Sequence, residues 1–410
     1  MKRILFILCV VIISNIITSP ILGQEKDYNS IDYPKVFLLD KEILQANKQK
    51  ILSKDKFLKT SYRKLYAGAE KALDLGPFSV TYKTKLPPSG DKHDYMSQAS
   101  YWWADTSKPD GLPYIRKDGV VNPEINNFTD KKNFTDMTRC VYYLSLAYYI
   151  TGEEKFAGHA VKLLKVWFID PDTKMNPNFK FAQAIPGRTT GRGTGLIEAR
   201  HFAEIIDAIG FLESSTYWDK DTEIKIKDWF EKYYLWLTES KEGMHEESAK
   251  NNHGIWYDVQ AVSIALFLNK NDAAKKICES AKTKRIGREI EPDGKQPFEL
   301  VRTKSLGYST FNLEALFSLA KLAQNVRVDL WHYESPDRRS ISKALDYLIP
   351  FYLKEKEWQY KQIAEFEYSR AYPIFLAAED YIDYDKYKKY ADDFRAANQR
   401  DVINIVFNKY

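Results

Sequence analysis

Three polar residues stand directly before an apolar run that predicts a helix over residues 254–268. They are Asn251, Asn252 and His253, and Trp256 follows within the run. Asparagine is a favoured helix N-cap, and capping alone would explain one of the two amides. The positive end of a helix also attracts anions. An amide and an imidazole at that position could hold an anionic group and exchange a proton with it.

A second segment combines cations with a phenol. Arg302, Lys304 and Tyr308 precede a helix predicted over residues 311–324, with Ser309 or Thr310 as its cap. A solvated basic loop with a packing tyrosine is the plain alternative, and the chain has 28 tyrosines.

A third segment is rich in glycine and arginine. It runs from Arg188 through Arg192 to residue 195, with Gln183 before it and His201 after it. No clear strand precedes it and the Gly-Lys-Ser/Thr ending is absent, so a phosphate-binding loop is a weak interpretation. A permissive backbone lining an anionic groove, flanked by guanidinium groups, fits the composition better.

The elements that must position these residues are helical. Apolar residues recur at helical spacing, which predicts helices over residues 137–150, 153–168, 195–212, 221–237, 254–268, 272–281, 311–324, 340–354, 366–378 and 386–397. Proline 373 is expected to kink the ninth, and residues 78–82 read as a short strand. No fixed-period repeat is present, so helical hairpins in series predict an all-α fold, an α/α toroid, rather than an ordinary solenoid. Long loops at 83–136, 169–194 and 283–310 are expected to line a groove.

The amino terminus reads as a signal peptide over residues 1–23, with Lys2 and Arg3 before an apolar run at residues 4–13. That run is about half the roughly 20 residues of a spanning helix, so we expect cleavage and a periplasmic or secreted protein with one domain over residues 24–410. Its removal lowers the net charge from +5 to +3, which is too little to indicate a nucleic-acid partner. Whether Cys140 and Cys278 pair, and the oligomeric state, stay open.

Together these segments resemble the alginate-lyase-domain polysaccharide lyases. The resemblance begins at His93-Asp94-Tyr95, continues through Tyr101-Trp102-Trp103 and the segment from Pro109 to Pro123, and ends at the Asn252-His253 and Arg302…Tyr308 pairs. It implies Asn252, His253, Arg302 and Tyr308 as catalytic residues. The substrate-binding residues we expect beside them are His93, Tyr95, Trp102, Gln183, Arg188, Arg192, His201, Trp256 and Lys304. The spacing of Arg302 and Tyr308 is one residue shorter than in mannuronate-cutting lyases, which indicates a sister family.

The resemblance implies β-elimination on an anionic polyuronate, in which the C5 proton leaves and the C4 oxygen is expelled. Asn252 and Arg302 would neutralise the uronate carboxylate and the charge that develops on it. Tyr308 could be base, acid or both, and as a base it needs a nearby cation such as Arg302. His253 is the alternative base. In mannuronate and glucuronate the proton and the C4 oxygen share one face, so one tyrosine suffices, whereas guluronate requires two groups.

Other chemistries have weaker support. His245 and His253 do not form a metal motif, so no metal or cofactor is expected. Mannuronate-rich alginate is the first expectation, and glucuronan follows because the two sugars differ only at C2. A glycoside hydrolase on the same architecture and a non-catalytic glycan-binding protein remain alternatives.

Overall fold

The computed structural model describes residues 33–399 and 401–407, and the predicted signal peptide lies outside them. The α-helices are α1 (Lys41–Leu52), α2 (Lys59–Ala72), α3 (Asp130–Thr151), α4 (Glu154–Phe168), α5 (Phe202–Leu212), α6 (Lys220–Glu239), α7 (Lys241–Glu247), α8 (Asn252–Phe267), α9 (Asn271–Ala281), α10 (Gly287–Glu289), α11 (Pro297–Leu300), α12 (Ser305–Gln324), α13 (Ile341–Tyr352), α14 (Ala371–Tyr381), α15 (Tyr384–Ala397) and α16 (Ile403–Phe407).

The helices form an inner and an outer layer. Helices α3, α5, α8, α12 and α14 pack against one another in that order, while α4, α9 and α15 each pack against the outside of one of them. The inner position follows from composition: 10 of the 11 residues of α5 and 14 of the 16 of α8 are buried. Helix α16 contacts α1, α2 and α14 and so links the last helices to the first. This is the predicted all-α toroid of helical hairpins.

The few strands lie in the long loops. Strand β1 (Met96–Gln98) pairs in parallel with β4 (Phe181–Ala184), and β2 (Trp102–Trp103) pairs antiparallel with β3 (Ile115–Arg116). The β1–β4 pair ties together two loops that are far apart in sequence, at one end of the helices. The predicted strand at residues 78–82 was wrong, because Val80–Tyr82 forms a 3-10 turn capped by the Ser79 hydroxyl.

Most predicted helices are present, with three informative differences. The segment predicted as helix from residue 195 begins as a 3-10 helix over Gly193–His201 and becomes α-helical only at α5. Helix α12 begins six residues earlier than predicted, so Tyr308 lies in its first turn. The Ser305 backbone N–H donates to the Lys361 carbonyl, and those of Leu306 and Gly307 donate to the Gln362 side chain, so neither Ser309 nor Thr310 is the cap. Proline 373 lies in the first turn of α14, where it removes no bond of that helix, so no kink is required.

The pairing of the two cysteines, which the sequence left open, is answered within the described residues. Cys140 and Cys278 are both buried and unpaired. In the described part of the chain, no helix is both long and apolar enough to cross a bilayer.

Candidate active site

A cavity of about 390 Å³ opens where the long loops meet the ends of α8 and α12. Its wall combines cations, amides and aromatic rings from segments that are distant in sequence. The lining residues are Ser100, Tyr101, Trp102, Arg116, Lys131, Gln183, Arg192, Thr194, Ile197, Arg200, Ala249, Asn251, Asn252, His253, Arg302, Tyr308 and Phe311. All four predicted catalytic residues therefore line one cavity.

Asn252 is the first residue of α8, and its side chain is fixed from behind by a buried carboxyl group. Glu299 Oε1 accepts hydrogen bonds from the Asn252 backbone N–H at 2.7 Å and from Nδ2 at 2.9 Å. Burial raises the pKa of Glu299, although the bonds from Asn252 oppose the rise. Asn251 caps the helix, as its side chain accepts from the His253 N–H at 3.3 Å. Helix capping thus explains why an asparagine stands at position 251, whereas the Asn252 side chain has no capping role and lines the cavity.

His253 is oriented by a second buried carboxylate. Its Nδ1 lies 2.6 Å from Oε1 of Glu246, a fully buried residue at the end of α7. A carboxylate at Nδ1 favours the tautomer that carries its proton there, which leaves Nε2 with a lone pair. His253 can therefore accept a proton at Nε2.

Arg302 is clamped in place by Asp118. The carboxylate of Asp118 accepts from Arg302 Nε at 3.2 Å and from Nη2 at 2.9 Å, and it also accepts from the Thr303 backbone N–H. Burial acts to raise the pKa of Asp118, but hydrogen bonds and charge from Arg302 outweigh it and hold that pKa well below its usual range. The clamped guanidinium lies over the Tyr308 ring, 4.0 Å from its centroid.

Tyr308 donates its hydroxyl proton to the hydroxyl of Tyr101 over 2.8 Å. Burial raises the pKa of Tyr308, Arg302 lowers it and Tyr101 raises it, with a net shift well above the usual value. Arg302 thus acts on Tyr308 in the expected direction, toward the phenolate, but desolvation exceeds the effect of the cation. The neutral phenol is therefore the favoured form of Tyr308, and its hydroxyl donates to Tyr101.

Three of the predicted substrate-binding residues line the cavity: Trp102, Gln183 and Arg192. Gln183 has a left-handed backbone with φ of 51°, an uncommon conformation for a side chain of its kind. The Ser97 hydroxyl accepts from its N–H, and Arg192 Nη2 donates to its Oε1 at 2.7 Å. Arg188 lies at the rim, with its guanidinium 5.1 Å from the centre of the Trp102 ring.

Five other predicted binding residues do not line the cavity, and for three of them local contacts give the reason. Tyr95 is fully buried and donates to Glu198 at 2.9 Å, so it supports the wall from within. His93 contacts the Lys174 carbonyl through Nδ1 at 2.6 Å and ties two loops together. His201 faces Glu204 at 3.2 Å.

The other two lie behind the wall. Trp256 packs against Phe311, with ring centroids 5.1 Å apart, and lines a second cavity of about 230 Å³. It is one helical turn further along α8 than Asn252 and does not line the cavity that Asn252 lines. Lys304 lies behind Tyr101, with its ammonium group 5.9 Å from that ring.

The sequence interpretation missed several residues of the site. Tyr101 and Arg116 belong to the resemblance motifs and Arg200 follows the glycine- and arginine-rich segment, but none of the three had an assigned role. Lys131 and Phe311 gave no local signal. The buried acids Glu246 and Glu299 and the partly exposed Asp118 were also missed, because their function depends on contacts across distant segments. Among the described residues, no group of three or more acidic, histidine or cysteine side chains could hold a metal ion.

Comparison with known proteins agrees with this arrangement. The family model described as alginate lyase matches residues 79–358. A crystal structure of an alginate lyase from Bacteroides ovatus is 39% identical with a TM-score of 0.89, and the match covers 92% of this chain and 100% of that one. Alginate lyase A1-III from Sphingomonas species A1 shares the fold at 15% identity, with a TM-score of 0.56 and coverage of 91% and 95%. No curated protein matches the chain significantly in sequence.

The chain has the helical toroid fold and matches an alginate lyase structure over most of its length. It is therefore a polysaccharide lyase. The chain belongs to the alginate lyase family. This confirms the predicted family and enzyme class, and it disfavours the hydrolase and the non-catalytic binding protein.

Proposed function

We propose that the enzyme cleaves alginate by β-elimination and leaves a C4=C5 double bond on the new non-reducing end. The observation that carries the proposal is the Tyr308 hydroxyl, hydrogen-bonded to Tyr101 and stacked under the guanidinium of Arg302, in one cavity with Asn252 and His253. A proton donor, a cation, an amide and an imidazole are the groups that elimination from a uronate requires.

The carboxylate of the reacting uronate is neutralised by Asn252 and Arg302. One N–H of the Asn252 amide is used by Glu299, and its other N–H is available for the substrate. Arg302 uses Nε and Nη2 for Asp118 and keeps Nη1 for the substrate. Such donors stabilise the enolate-like charge that forms as the C5 proton leaves, typically by about 3–4 kcal/mol each.

Mannuronate-rich alginate is the proposed substrate. In mannuronate the C5 hydrogen and the C4 oxygen are on one face, so Tyr308 can serve as both base and acid. It first loses its own hydroxyl proton to solvent, and the phenolate beside Arg302 then takes the C5 proton and returns it to the departing C4 oxygen. Tyr101 is its immediate partner: a hydroxyl at 2.8 Å can rotate and donate to a Tyr308 phenolate during the reaction. Glucuronan is eliminated with the same geometry and is the second polymer of this class.

One observation favours guluronate as a second candidate. The pKa of Tyr308 is raised by burial, and His253 is oriented by Glu246 as a base. In guluronate the proton and the leaving oxygen are on opposite faces. His253 would then take the C5 proton while neutral Tyr308 protonates the C4 oxygen.

The test is a panel of polymannuronate, polyguluronate and glucuronan, scored by the ultraviolet absorbance of the unsaturated product. We expect the largest rate on polymannuronate. Products that shorten the chain without new absorbance would indicate hydrolysis and contradict the proposal.

Two variants separate the proton-transfer schemes. Tyr308→Phe should abolish turnover on every cleaved polymer, while His253→Ala should abolish it only where histidine is the base. Tyr82→Phe, on an exposed tyrosine far from the cavity lining, is the matched control. Full turnover by Tyr308→Phe would refute the role of Tyr308.

Export is part of the proposal and rests on the signal-like residues 1–23 alone. Expression of the full chain in a Gram-negative host, followed by fractionation and amino-terminal sequencing, tests it. A mature protein that starts near residue 24 outside the cytoplasm is expected, and an uncleaved cytoplasmic protein would contradict it.

A further inference from the structure

Two acids behind the first turn of α8 are closed off from water. Glu289, the last residue of α10, and Glu299, in α11, are each only 1% exposed. Glu299 Oε1 accepts both hydrogen bonds from Asn252, but its Oε2 has no hydrogen-bond donor among the described residues, and neither oxygen of Glu289 has one. Three carboxyl oxygens are thus buried without the donors that an ionised carboxylate requires.

The charges around Glu289 balance without it. Arg285 pairs with it, but Nη1 is 3.6 Å from Glu289 Oε1, beyond hydrogen-bond distance. The same guanidinium group donates to Asp258 from Nε at 2.7 Å and from Nη2 at 3.1 Å. Burial raises the pKa of Glu289, Arg285 acts to lower it, and the charge of Glu299 raises it further. One cation therefore faces several buried acids, and its short contacts go to Asp258.

The cations that face Glu299 are likewise bound to other acids. Arg302 acts on Glu299 through its charge, but it donates its hydrogen bonds to Asp118. His253 also faces it, and the Nδ1 of that imidazole lies 2.6 Å from Glu246. Burial raises the pKa of Glu299, although its hydrogen bonds and the charges of Arg302 and His253 act to lower it. Loss of hydration thus exceeds the favourable contacts of the ionised form.

The position of Glu299 makes its charge important for the substrate. The Asn252 amide uses one N–H for Glu299 and, in the proposed function, offers the other to the uronate carboxylate. A negative charge directly behind that amide would repel the substrate carboxylate at close range. A neutral carboxyl group keeps the acceptor oxygen and removes the repulsion.

We propose that Glu299 acts as a neutral carboxylic acid, in which Oε1 orients Asn252 as a carbonyl acceptor and Oε2 carries the proton. Glu299 is then a positioning residue for the amide that binds the uronate. The inference rests on the proposed function and adds to it a proton that the enzyme must keep. As pH rises through the pKa of Glu299, that proton is lost, a negative charge forms behind Asn252 and binding of the uronate weakens.

Infrared difference spectroscopy tests the protonation state without substrate. The spectrum of Glu299→Gln is subtracted from that of the wild type at neutral pH. Glu279→Gln is the matched control, since Glu279 is exposed and pairs with Lys282. We expect the carbonyl stretch of a protonated carboxyl group in the first difference and carboxylate bands in the control difference. Carboxylate bands in both would overturn the inference.

Kinetics test what the proton does in the reaction. Glu299→Ala removes the acceptor and should lower kcat/KM about 10- to 100-fold, because the buried donors of Asn252 lose their partner. Glu299→Gln keeps an uncharged acceptor and should recover most of that loss. In the wild type, kcat/KM should fall at alkaline pH as Glu299 ionises, and in Glu299→Gln this fall should move to higher pH. A Gln variant as impaired as the Ala variant would overturn the inference.

Failure of this inference and failure of the proposed function give different results. A wild type that forms no unsaturated product refutes the proposed function, and the infrared difference still decides whether Glu299 is protonated. If Glu299→Ala does not fold by circular dichroism, the infrared difference and the pH profile of Glu299→Gln decide the question.

Discussion

The contact between Asp118 and Arg302 can be tested by one substitution, Asp118→Asn, whose effects on the position of Arg302 and on the charge of the cavity are read separately from kcat and KM. The carboxamide keeps the size of the side chain and one acceptor oxygen, but it loses the charge and places N–H donors against the guanidinium. Arg302 then keeps at most one of the two bonds, at 3.2 and 2.9 Å, that hold it over Tyr308, and that bond is no longer made to a carboxylate. At the same time the cavity gains one net positive charge.

The size of the effect follows from these contacts. A hydrogen bond to a charged group contributes about 1.5–3 kcal/mol. The two bonds share one carboxylate and are not additive, and 20% of the Asp118 side chain is exposed, which weakens them by screening. We therefore take about 2 kcal/mol, which corresponds to about 30-fold in kcat. KM should stay constant or fall, because the added positive charge attracts the polyanion.

The assay is the initial rate of ultraviolet absorbance on polymannuronate over a range of concentrations. Asp221→Asn is the control, since it removes the same charge from an exposed pair with Lys225. A thermal melt should show that the Asp118 variant is folded. A rise in KM with unchanged kcat would refute the reasoning, because it would mean that Asp118 contributes to ground-state binding and not to the position of Arg302.

Three further predictions concern residues away from that contact. Glu246→Gln weakens the carboxylate contact to His253 at 2.6 Å and should lower kcat about 10- to 100-fold where His253 is the base; unchanged kcat on polyguluronate would contradict this. Burial raises the pKa of Asp207 to about 7, although three backbone N–H donors act to lower it. In the unfolded chain the same carboxyl group titrates near pH 4. Between these two pH values the native state therefore holds a proton that the unfolded state has released. Stability should therefore fall as pH rises from about 4 to about 7, and Asp207→Asn should flatten that slope in denaturant titrations. Gly210→Ala would place a methyl group 2.0 Å from a backbone oxygen and should lower the free energy of unfolding by about 1–3 kcal/mol, whereas Gly307→Ala, with nothing within 4 Å, should not.

The fold was predictable where burial and helical period agree. Helices α4, α8 and α9 have nearly the predicted bounds, since each carries a clear apolar pattern and a turn at its end. Helix α12 was predicted too short, because its first turn is held by Gln362, a residue more than 50 positions away. No local pattern can reveal such a cap.

The candidate site was predictable from residue types that sit at helix starts. Asn252 and His253 reach the cavity because they are the first residues of α8, but Trp256, one turn further along the same helix, lines a different cavity. Arg200 was missed because the segment from Gly193 to His201 is a 3-10 helix, which changes the direction of every side chain along it. Depth and direction depend on tertiary packing, which the sequence pattern does not report.

The clamp between Asp118 and Arg302 joins positions 184 residues apart, and the first turn of α12 depends on Gln362 still further along. During synthesis, which proceeds from the amino terminus, the catalytic centre therefore cannot form until nearly the whole chain has emerged. Contacts of such long range are also slow to form in folding. During refolding, the recovery of turnover should accordingly lag behind the recovery of helical content. Enzyme activity therefore measures whether the whole toroid of helical hairpins has formed.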